Sequence, residues 1–408
     1  MDFFVFWRVI VIKKIIFDID NTLLNTYKDC IVCYKSYFES KGLDDLSQKV
    51  YNIIGDYDQF GNYDKDDLTN YIQDKLGIKF TRSDFDEMFN IYGNTASLVD
   101  ENIPKVLEVL SKYYELVALS KWYVDNQKSR LKNVGILKYF KEIYGFENAG
   151  IKPSRDSFIT ACGDNLPSEC LVVGDSIPSD MVVPIDMGMK TLLYTKEVVK
   201  DYDCISNLSE INGKIHNMMF DKELSYIKDD RVRNSAVKLH NMLPEYFYHI
   251  AASATGKYHP ISDLGEGGLV RHSKSVVRIG YELLQLEMYN IFSDIEKDLI
   301  LFSLMFHDGL KQGLNGSGYT LFDHPLIISK FIKDNKDMLY LDSDEINYVT
   351  SCISSHMGEW NKKDGMVLPK PVSEQEKFVH LCDYIASRNF INIDYDEDNN
   401  IIERRKRL

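Results

Sequence analysis

The chain has 408 residues, 44% of them apolar and 27% charged, enough for two or three domains that each bury a core. Its formal charge of −14 excludes a general grip on nucleic acid, which needs a basic surface. It leaves room for small phosphorylated molecules, because a bound cation and a few Lys or Arg reverse the potential locally. Seven scattered cysteines, an odd number, point to reduced thiols in a cytoplasmic protein rather than to a disulfide framework.

Residues 1–13 read as an N-terminal extension, either an added strand or an upstream start. Their run M-D-F-F-V-F-W-R-V-I-V-I is apolar, but it is too short to span a bilayer and lacks a signal peptide's basic start. No other stretch approaches 18 apolar residues, so no membrane segment is expected.

From residue 14 to 212 the pattern is α/β. K-K-I-I-F-D-I-D, Y-E-L-V-A-L-S, C-L-V-V-G-D and K-T-L-L-Y-T are short apolar, largely β-branched runs that end in polar residues, as buried parallel strands do. Amphipathic stretches such as P-K-V-L-E-V-L-S-K-Y alternate with them, predicting a doubly wound sheet with functional groups at the carboxyl ends of its strands. Residues 26–100 interrupt the alternation with helical periodicity and read as an inserted cap. Cys30 and Cys33 within it form a C-x-x-C with no second pair at zinc spacing, hence one face of a helix.

Residues 213–235 are polar and predict a linker. From 236 to 395 strand patterns give way to helical ones, such as S-V-V-R-I-G-Y-E-L-L, predicting an all-α domain; residues 396–408 read as a frayed tail. S-A-T-G-K-Y-H-P at 253–260 is not a P-loop, because Ala251 stands at the first glycine position and Tyr258 replaces the Ser/Thr. It reads instead as a loop near a second site.

Two sets of residues carry chemistry. In the first half Asp18 and Asp20 share a strand tip, where phosphoryl transfer through an aspartyl-phosphate needs a nucleophilic carboxylate and a second carboxyl as acid/base. Such a negative pocket accepts a phosphate only with a cation, and G-D-S-I-P-S-D supplies Asp175 and Asp180 for one. Ser120 at the end of V-A-L-S and Lys152 in G-I-K-P suit phosphate oxygens. Together D-I-D-N-T, Ser120, Lys152 and G-D-S-x-x-x-D resemble the four ordered motifs of the haloacid dehalogenase (HAD) superfamily.

That resemblance implies a Rossmann-like HAD core with an inserted helical cap. It makes Asp18 the nucleophile, Asp20 the acid/base, and Ser120 and Lys152 the phosphate ligands. Asp18, the Asp20 carbonyl and Asp175 would hold Mg²⁺, with Asp180 supporting that shell. Asp20 and Thr22 resemble phosphatases more than dehalogenases. A cap favours small phosphomonoesters; Asp56, Tyr57 and Phe60 are candidate readers of the leaving group.

The second half contains His272, the adjacent pair His307-Asp308, His324, His356 and Asp383. Imidazoles with carboxylates suit divalent transition metals, and two bridged metals clamp a phosphoryl group. The segments G-E-G-G-L-V-R-H, H-D-G-L-K, D-H-P, S-S-H-M-G-E-W and C-D-Y-I-A-S-R resemble the HD-domain phosphohydrolase superfamily.

By that resemblance His272, His307, Asp308 and Asp383 bind one metal, and Asp308, His324 and His356 a second: Mn²⁺, Fe or Co²⁺. In a one-metal site His324 and His356 would instead contact substrate. Lys311 would hold phosphate, with Arg388, Lys257 and His259 as further substrate contacts. His380 reads as a support for the metal ligands, and His240 and His249 as structural.

The pairing implies a bifunctional phosphohydrolase of small, nucleotide-like substrates: a diesterase or nucleotide phosphohydrolase beside a monoesterase. Nucleic-acid end repair, opening a 2′,3′-cyclic phosphate and then removing it, is a second reading disfavoured by charge and cap. A nucleotide-binding regulatory module is a third, disfavoured by two intact acid/base and metal sets.

Overall fold

The computed structural model describes residues 12–58, 60–61, 63–253, 256 and 258–389. Lys257, the C-terminal tail and all but two residues of the N-terminal extension lie outside them. The chain divides into two compact units, one up to Asn212 and one from Gly213 onward.

The first unit is built on a six-stranded parallel sheet: β1 (Lys14–Phe17), β2 (Glu115–Leu119), β3 (Glu142–Tyr144), β4 (Cys170–Gly174), β5 (Lys190–Tyr194) and β6 (Cys204–Ile205). Their order is β3-β2-β1-β4-β5-β6. β1 lies between β2 and β4, with Phe17 in register with Ala118 on one side and Val173 on the other. The chain winds outward from β1 in both directions, so the crevice at a doubly wound sheet's switch point opens at the carboxyl end of β1. The sequence reading found four of these strands. β3 and β6, three and two residues long at the sheet's edges, are too short for a buried run to stand out.

The insertion after β1 folds as four helices: α1 (Thr26–Ser40), α2 (Ser47–Asp58), α3 (Lys65–Leu76) and α4 (Arg82–Gly93). Cys30, Cys33, Tyr34, Tyr37 and Phe38 recur at three- and four-residue spacing, so they share one face of α1. That face meets Ile53 and Tyr57 of α2, Ile72 of α3 and Phe85 and Met88 of α4 in one apolar cluster. Each fully buried side chain of this size contributes roughly 1.5–3 kcal/mol. Asp64 caps α3 by accepting from the Asp66 and Asp67 amides, and Thr81 and Asp84 form a reciprocal capping box on α4. The first unit continues through α5 (Ile103–Leu110) and α6 (Val124–Asn133).

The second unit is predominantly helical. Its long elements are Asp230–Met242, Gly268–Leu283, Asp294–Phe306, His324–Asp334, Ser343–Ser355 and Glu374–Ala386. Two expectations are corrected. The stretch 213–235 is not a loose connector: it holds most of the helix Ile211–Met219 and all of Asp221–Leu224, and buries Ile215, Phe220, Leu224, Ile227 and Val232. Those apolar residues are spaced among polar ones, so average composition hides them. Nor is the unit strictly all-α, since Lys362–Lys363 pairs antiparallel with Met366–Val367. Asp364 and Gly365 turn that hairpin with φ of 50° and 84°, the Asp-Gly signature of a tight turn. No helix among the described residues is long and apolar enough to cross a membrane, and all seven cysteines are free thiols.

Candidate functional sites

In the first unit the site grows from the ends of three strands. Asp18 follows β1, and its amide donates to the Val173 carbonyl (2.8 Å), which ties it to the end of β4. The chain then turns through Asn21 at φ 62°, a left-handed conformation that asparagine tolerates better than most side chains. Lys152 is buried against this end of the sheet. Its Nζ lies 2.6 Å from Asp18 Oδ1 and 2.5 Å from Asp180 Oδ1, and donates to the Leu119 carbonyl (3.0 Å). Asp180 Oδ2 accepts from the Ser176 amide (2.9 Å). A Cβ at Gly174 would lie 2.3 Å from the Asp180 carboxyl carbon, so only glycine lets that carboxylate reach the strand end.

Asp18, Asp175 and Asp180 each offer an oxygen within one metal-sized cluster. Burial pushes the Asp18 carboxyl well above its usual range; Lys152 opposes this, while Asp180, Asp20 and Asp175 add to it. Asp175 is pushed up to about 6, by burial and then by Asp180. Burial works against the Lys152 charge, yet the Asp18 and Asp180 carboxylates outweigh it and raise the ammonium's pKa. One lysine among these carboxylates leaves a surplus of negative charge. A divalent cation fits that donor set.

Asp20 faces a different set of partners. Its Oδ1 accepts from Thr26 (2.6 Å) and Arg130 (3.0 Å), and its Oδ2 from Ser120 (3.0 Å) and Gln127 (2.7 Å). Ser120, expected on a phosphate, thus has its hydroxyl on Asp20. Arg130 is fully buried and also pairs with Asp29 of α1 (3.0 Å). The sequence reading missed Arg130, Gln127 and Asp29. V-D-N-Q-K-S-R-L-K-N looks like a solvated helix, and nothing local reveals that its Gln127–Arg130 face turns inward.

Asp20 also lines a cavity of about 570 Å³ roofed by the cap. Of the three candidate cap readers, Asp56 lines it. Tyr57 instead belongs to the cap's apolar cluster, and Phe60 is 60% exposed, in contact with the Tyr57 and Tyr71 rings.

In the second unit five helices deliver the expected ligand set to one point. His272 comes from Gly268–Leu283, and His307 and Asp308 follow Asp294–Phe306. His324 opens His324–Asp334, His356 caps Ser343–Ser355, and Asp383 lies on Glu374–Ala386. The four histidines and Asp308 are all buried. His272 Nε2 lies 3.3 Å from His307 Nε2 and 3.1 Å from Asp383 Oδ1. Asp308 divides its oxygens: Oδ2 is 3.6 Å from His307 Nε2 and 3.9 Å from His272 Nε2, whereas Oδ1 is 2.8 Å from His324 Nε2 and 3.7 Å from His356 Nε2. Two ligand clusters result, His272/His307/Asp308 and Asp308/His324/His356.

The outer ring nitrogens fix the inner ones. Nδ1 of His307, His324 and His356 lies 2.7, 2.7 and 2.8 Å from the carbonyls of Leu304, Leu321 and Ile353. A carbonyl has no proton to give, so in the neutral rings Nδ1 carries it and Nε2 presents a lone pair to the center. His324 Nε2 has no hydrogen-bond partner although it is 2.8 Å from a carboxylate oxygen. Acceptors facing acceptors at this range call for a cation between them, so the residues fit divalent metal ions.

The protonation states agree. Burial, reinforced by His307, pushes His356 down to about 3, and burial also lowers His307 despite Asp308 and Asp383. Burial alone would lower His272, yet the Asp263 and Asp383 carboxylates raise it to about 9. Asp308 is held well below the carboxylate range, Lys311 and His307 overcoming the cost of its burial.

Lys311, expected on phosphate, has its Nζ 2.5 Å from Asp308 Oδ2. Asp263, absent from the sequence reading, has one oxygen 3.2 Å from His272 Nδ1 and 3.1 Å from His259 Nδ1. Its place four residues after His259 in H-P-I-S-D was the available signal. His380 Nδ1 lies 2.7 Å from the His356 carbonyl. His240 is buried against Tyr248 and His249 faces Glu245, and neither belongs to a ligand cluster among the described residues. The center opens into a cavity of about 460 Å³ that includes Tyr258, Trp360, Tyr384 and Arg388. The Arg388 guanidinium lies 4.3 Å from the Tyr384 ring and 4.8 Å from that of Trp360.

Comparison with known proteins concerns the first unit. Residues 15–194 match the family model described as haloacid dehalogenase-like hydrolase. A protein of Clostridium perfringens named "Putative pyrophosphatase PpaX" is 29% identical over 192 residues, 44% of this chain and 82% of its own. Among solved structures, the magnesium-bound HAD-hydrolase YfnB of Bacillus subtilis is 18% identical, covering 50% of this chain and 99% of its own at a TM-score of 0.44. A predicted phosphoglycolate phosphatase of Haemophilus somnus is 21% identical, covering 49% and 96% at 0.37. The N-terminal half of this chain carries a haloacid dehalogenase-like hydrolase domain.

Proposed function

We propose that the chain is a bifunctional phosphohydrolase, a phosphomonoesterase in its first unit and a phosphodiesterase or nucleotide phosphohydrolase in its second. The monoesterase reading rests on Asp18 beside Lys152 in a family of hydrolases. Asp18 attacks phosphorus while Lys152 neutralises the incoming phosphate, and the ester oxygen departs with a proton from Asp20. Asp20 then takes a proton from water as that water opens the aspartyl-phosphate and frees Asp18. For Asp20 to act so, its carboxylate must exchange at least one of its four present donors for the leaving group. Asp18, Asp175 and the Asp20 carbonyl would hold Mg²⁺, which supplies charge for the phosphoryl oxygens.

For the second unit, the observation that carries the reading is Asp308 dividing its two oxygens between two imidazole pairs. This supports membership of the HD-domain phosphohydrolases. His272, His307, Asp308 and Asp383 would hold one transition metal and Asp308, His324 and His356 a second, and such metals supply Lewis acidity and an activated water. Lys311 and Arg388 bring positive charge to the cavity, and the exposed faces of Tyr258 and Trp360 suit a planar base, which favours nucleotide substrates. Among the described residues that line it, Lys311 and Arg388 are the two cations, too few for the phosphate track that nucleic-acid end repair needs.

The test is turnover of bis-p-nitrophenyl phosphate and p-nitrophenyl phosphate by the purified chain. Mn²⁺ should support the first and Mg²⁺ the second. A protein that binds metal and nucleotide but cleaves neither would point to a regulatory module.

A further inference from the structure

The cap cavity of the first unit has a one-sided composition. Tyr34, Tyr51, Tyr92 and Trp122 form its aromatic walls, and Asp56 and Asp58 of α2 stand with Asp20 on its lining. Lys121 is the one cation among the described lining residues, and its Nζ lies 3.2 Å from Asp58 Oδ2. Its charge is thereby matched within the wall. Asp56 is exposed, and among the described residues no cation pairs with it. The space left for a leaving group is aromatic on one side, rich in acceptors and negative. Its volume of about 570 Å³ falls within the range of pockets that enclose small organic ligands.

An anionic leaving group, such as the phosphate of pyrophosphate or the carboxylate-bearing half of phosphoglycolate, would meet Asp56 with no free cation to offset it. A neutral ring-bearing alcohol would pack against Tyr51 and Trp122, the two lining rings that are only partly buried, and donate its hydroxyl or amino hydrogens to Asp56. Resting on the phosphatase reading of this unit, we propose that the cavity selects monoesters of uncharged, ring-bearing alcohols, the nucleoside class, and that Asp56 is the residue that rejects anionic leaving groups.

The test compares kcat/KM for a nucleoside 5′-monophosphate, inorganic pyrophosphate and 2-phosphoglycolate in the intact chain, Asp56→Asn and Asp56→Lys. The intact chain should favour the nucleoside monophosphate over both anionic probes. Asp56→Lys should shift that ratio toward them by on the order of 10–100-fold, the weight of one charge reversal at pocket distances, and Asp56→Asn should shift it less in the same direction. The proposal is overturned if the intact chain prefers either anionic probe, or if Asp56→Lys leaves the ratio unmoved while remaining folded by thermal melting. Failure of the phosphatase reading has a separate signature: no Asp18-dependent phosphate release from any ester, which removes both.

Discussion

The two units hold carboxylates together in opposite ways. In the first, carboxylates, all buried but the half-buried Asp20, are matched by permanent cations and by donors: Lys152 between Asp18 and Asp180, Arg130 between Asp20 and Asp29. In the second, Asp308 and Asp383 face imidazoles whose protons are mostly turned outward to carbonyls, and among the described residues Lys311 brings an ammonium to Asp308. A site of the first kind is largely assembled by the chain itself. A site of the second kind is an assembly of acceptors that a metal completes. The difference lies in which residue type supplies the positive charge.

The largest effect should come from breaking the first arrangement. Arg130→Met removes the cation between two carboxylates and should destabilise the first unit by about 3–5 kcal/mol, the usual result of orphaning a buried charge. Urea unfolding measures it; a change below 1 kcal/mol would mean that Arg130 behaves like a surface ion pair.

A smaller effect is expected at Asp263, which orients His272 from behind. Asp263→Asn should lower metal affinity or diester turnover in the second unit by roughly 10–100-fold and leave Mg²⁺-dependent monoester turnover alone. Equal loss of both activities would show that Asp263 serves stability instead.

The gentlest probe is pH. Asp175 sits near 6 against an ordinary 3.8, so the ion-free first unit holds a proton there more tightly than the unfolded chain. It bears the cost of the ionised carboxyl above pH 6 and loses that cost toward pH 4. An incoming cation must displace that proton, so Mg²⁺ affinity should rise by up to about tenfold per unit toward pH 6 on account of Asp175 and less steeply beyond, where only Asp18, also pushed up, still has a proton to give. In the second unit the proton to displace is on His272, near 9, so metal affinity should keep rising to about pH 9. Calorimetric titrations at several pH values separate the two: a break in slope near pH 6 is expected for the first unit and none there for the second, and profiles of the same shape would contradict the contrast.

What was legible in the sequence follows the same line. Residues at strand ends and in short signature segments, from Asp18 to Asp180 and from His272 to Asp383, announce themselves by type and spacing. Their supports do not. Arg130 reaches Asp20 across 110 positions, and a buried arginine on a polar helix looks like a solvated one until the fold closes over it. Asp263 ends a single 3-10 turn, Ile261–Asp263, where an acidic residue is unremarkable alone. Lys311 is visible by its spacing from the His-Asp pair, but its contact with Asp308 is not, because the sequence does not say which anion lies nearer. The linker was misjudged because Ile215, Phe220 and Leu224 bury themselves from a polar background. The Asp364-Gly365 turn carried a readable signal that the helical reading of the second half passed over.

The division of labour between the units is tested most directly by following phosphorus species over time. A dinucleotide or cyclic nucleotide would be incubated with the intact chain, Asp18→Asn and Asp308→Ala in Mg²⁺ and Mn²⁺. The account predicts inorganic phosphate from the intact chain, an accumulating monoester from Asp18→Asn, and untouched diester from Asp308→Ala. Free phosphate released from the diester by Asp308→Ala would contradict it.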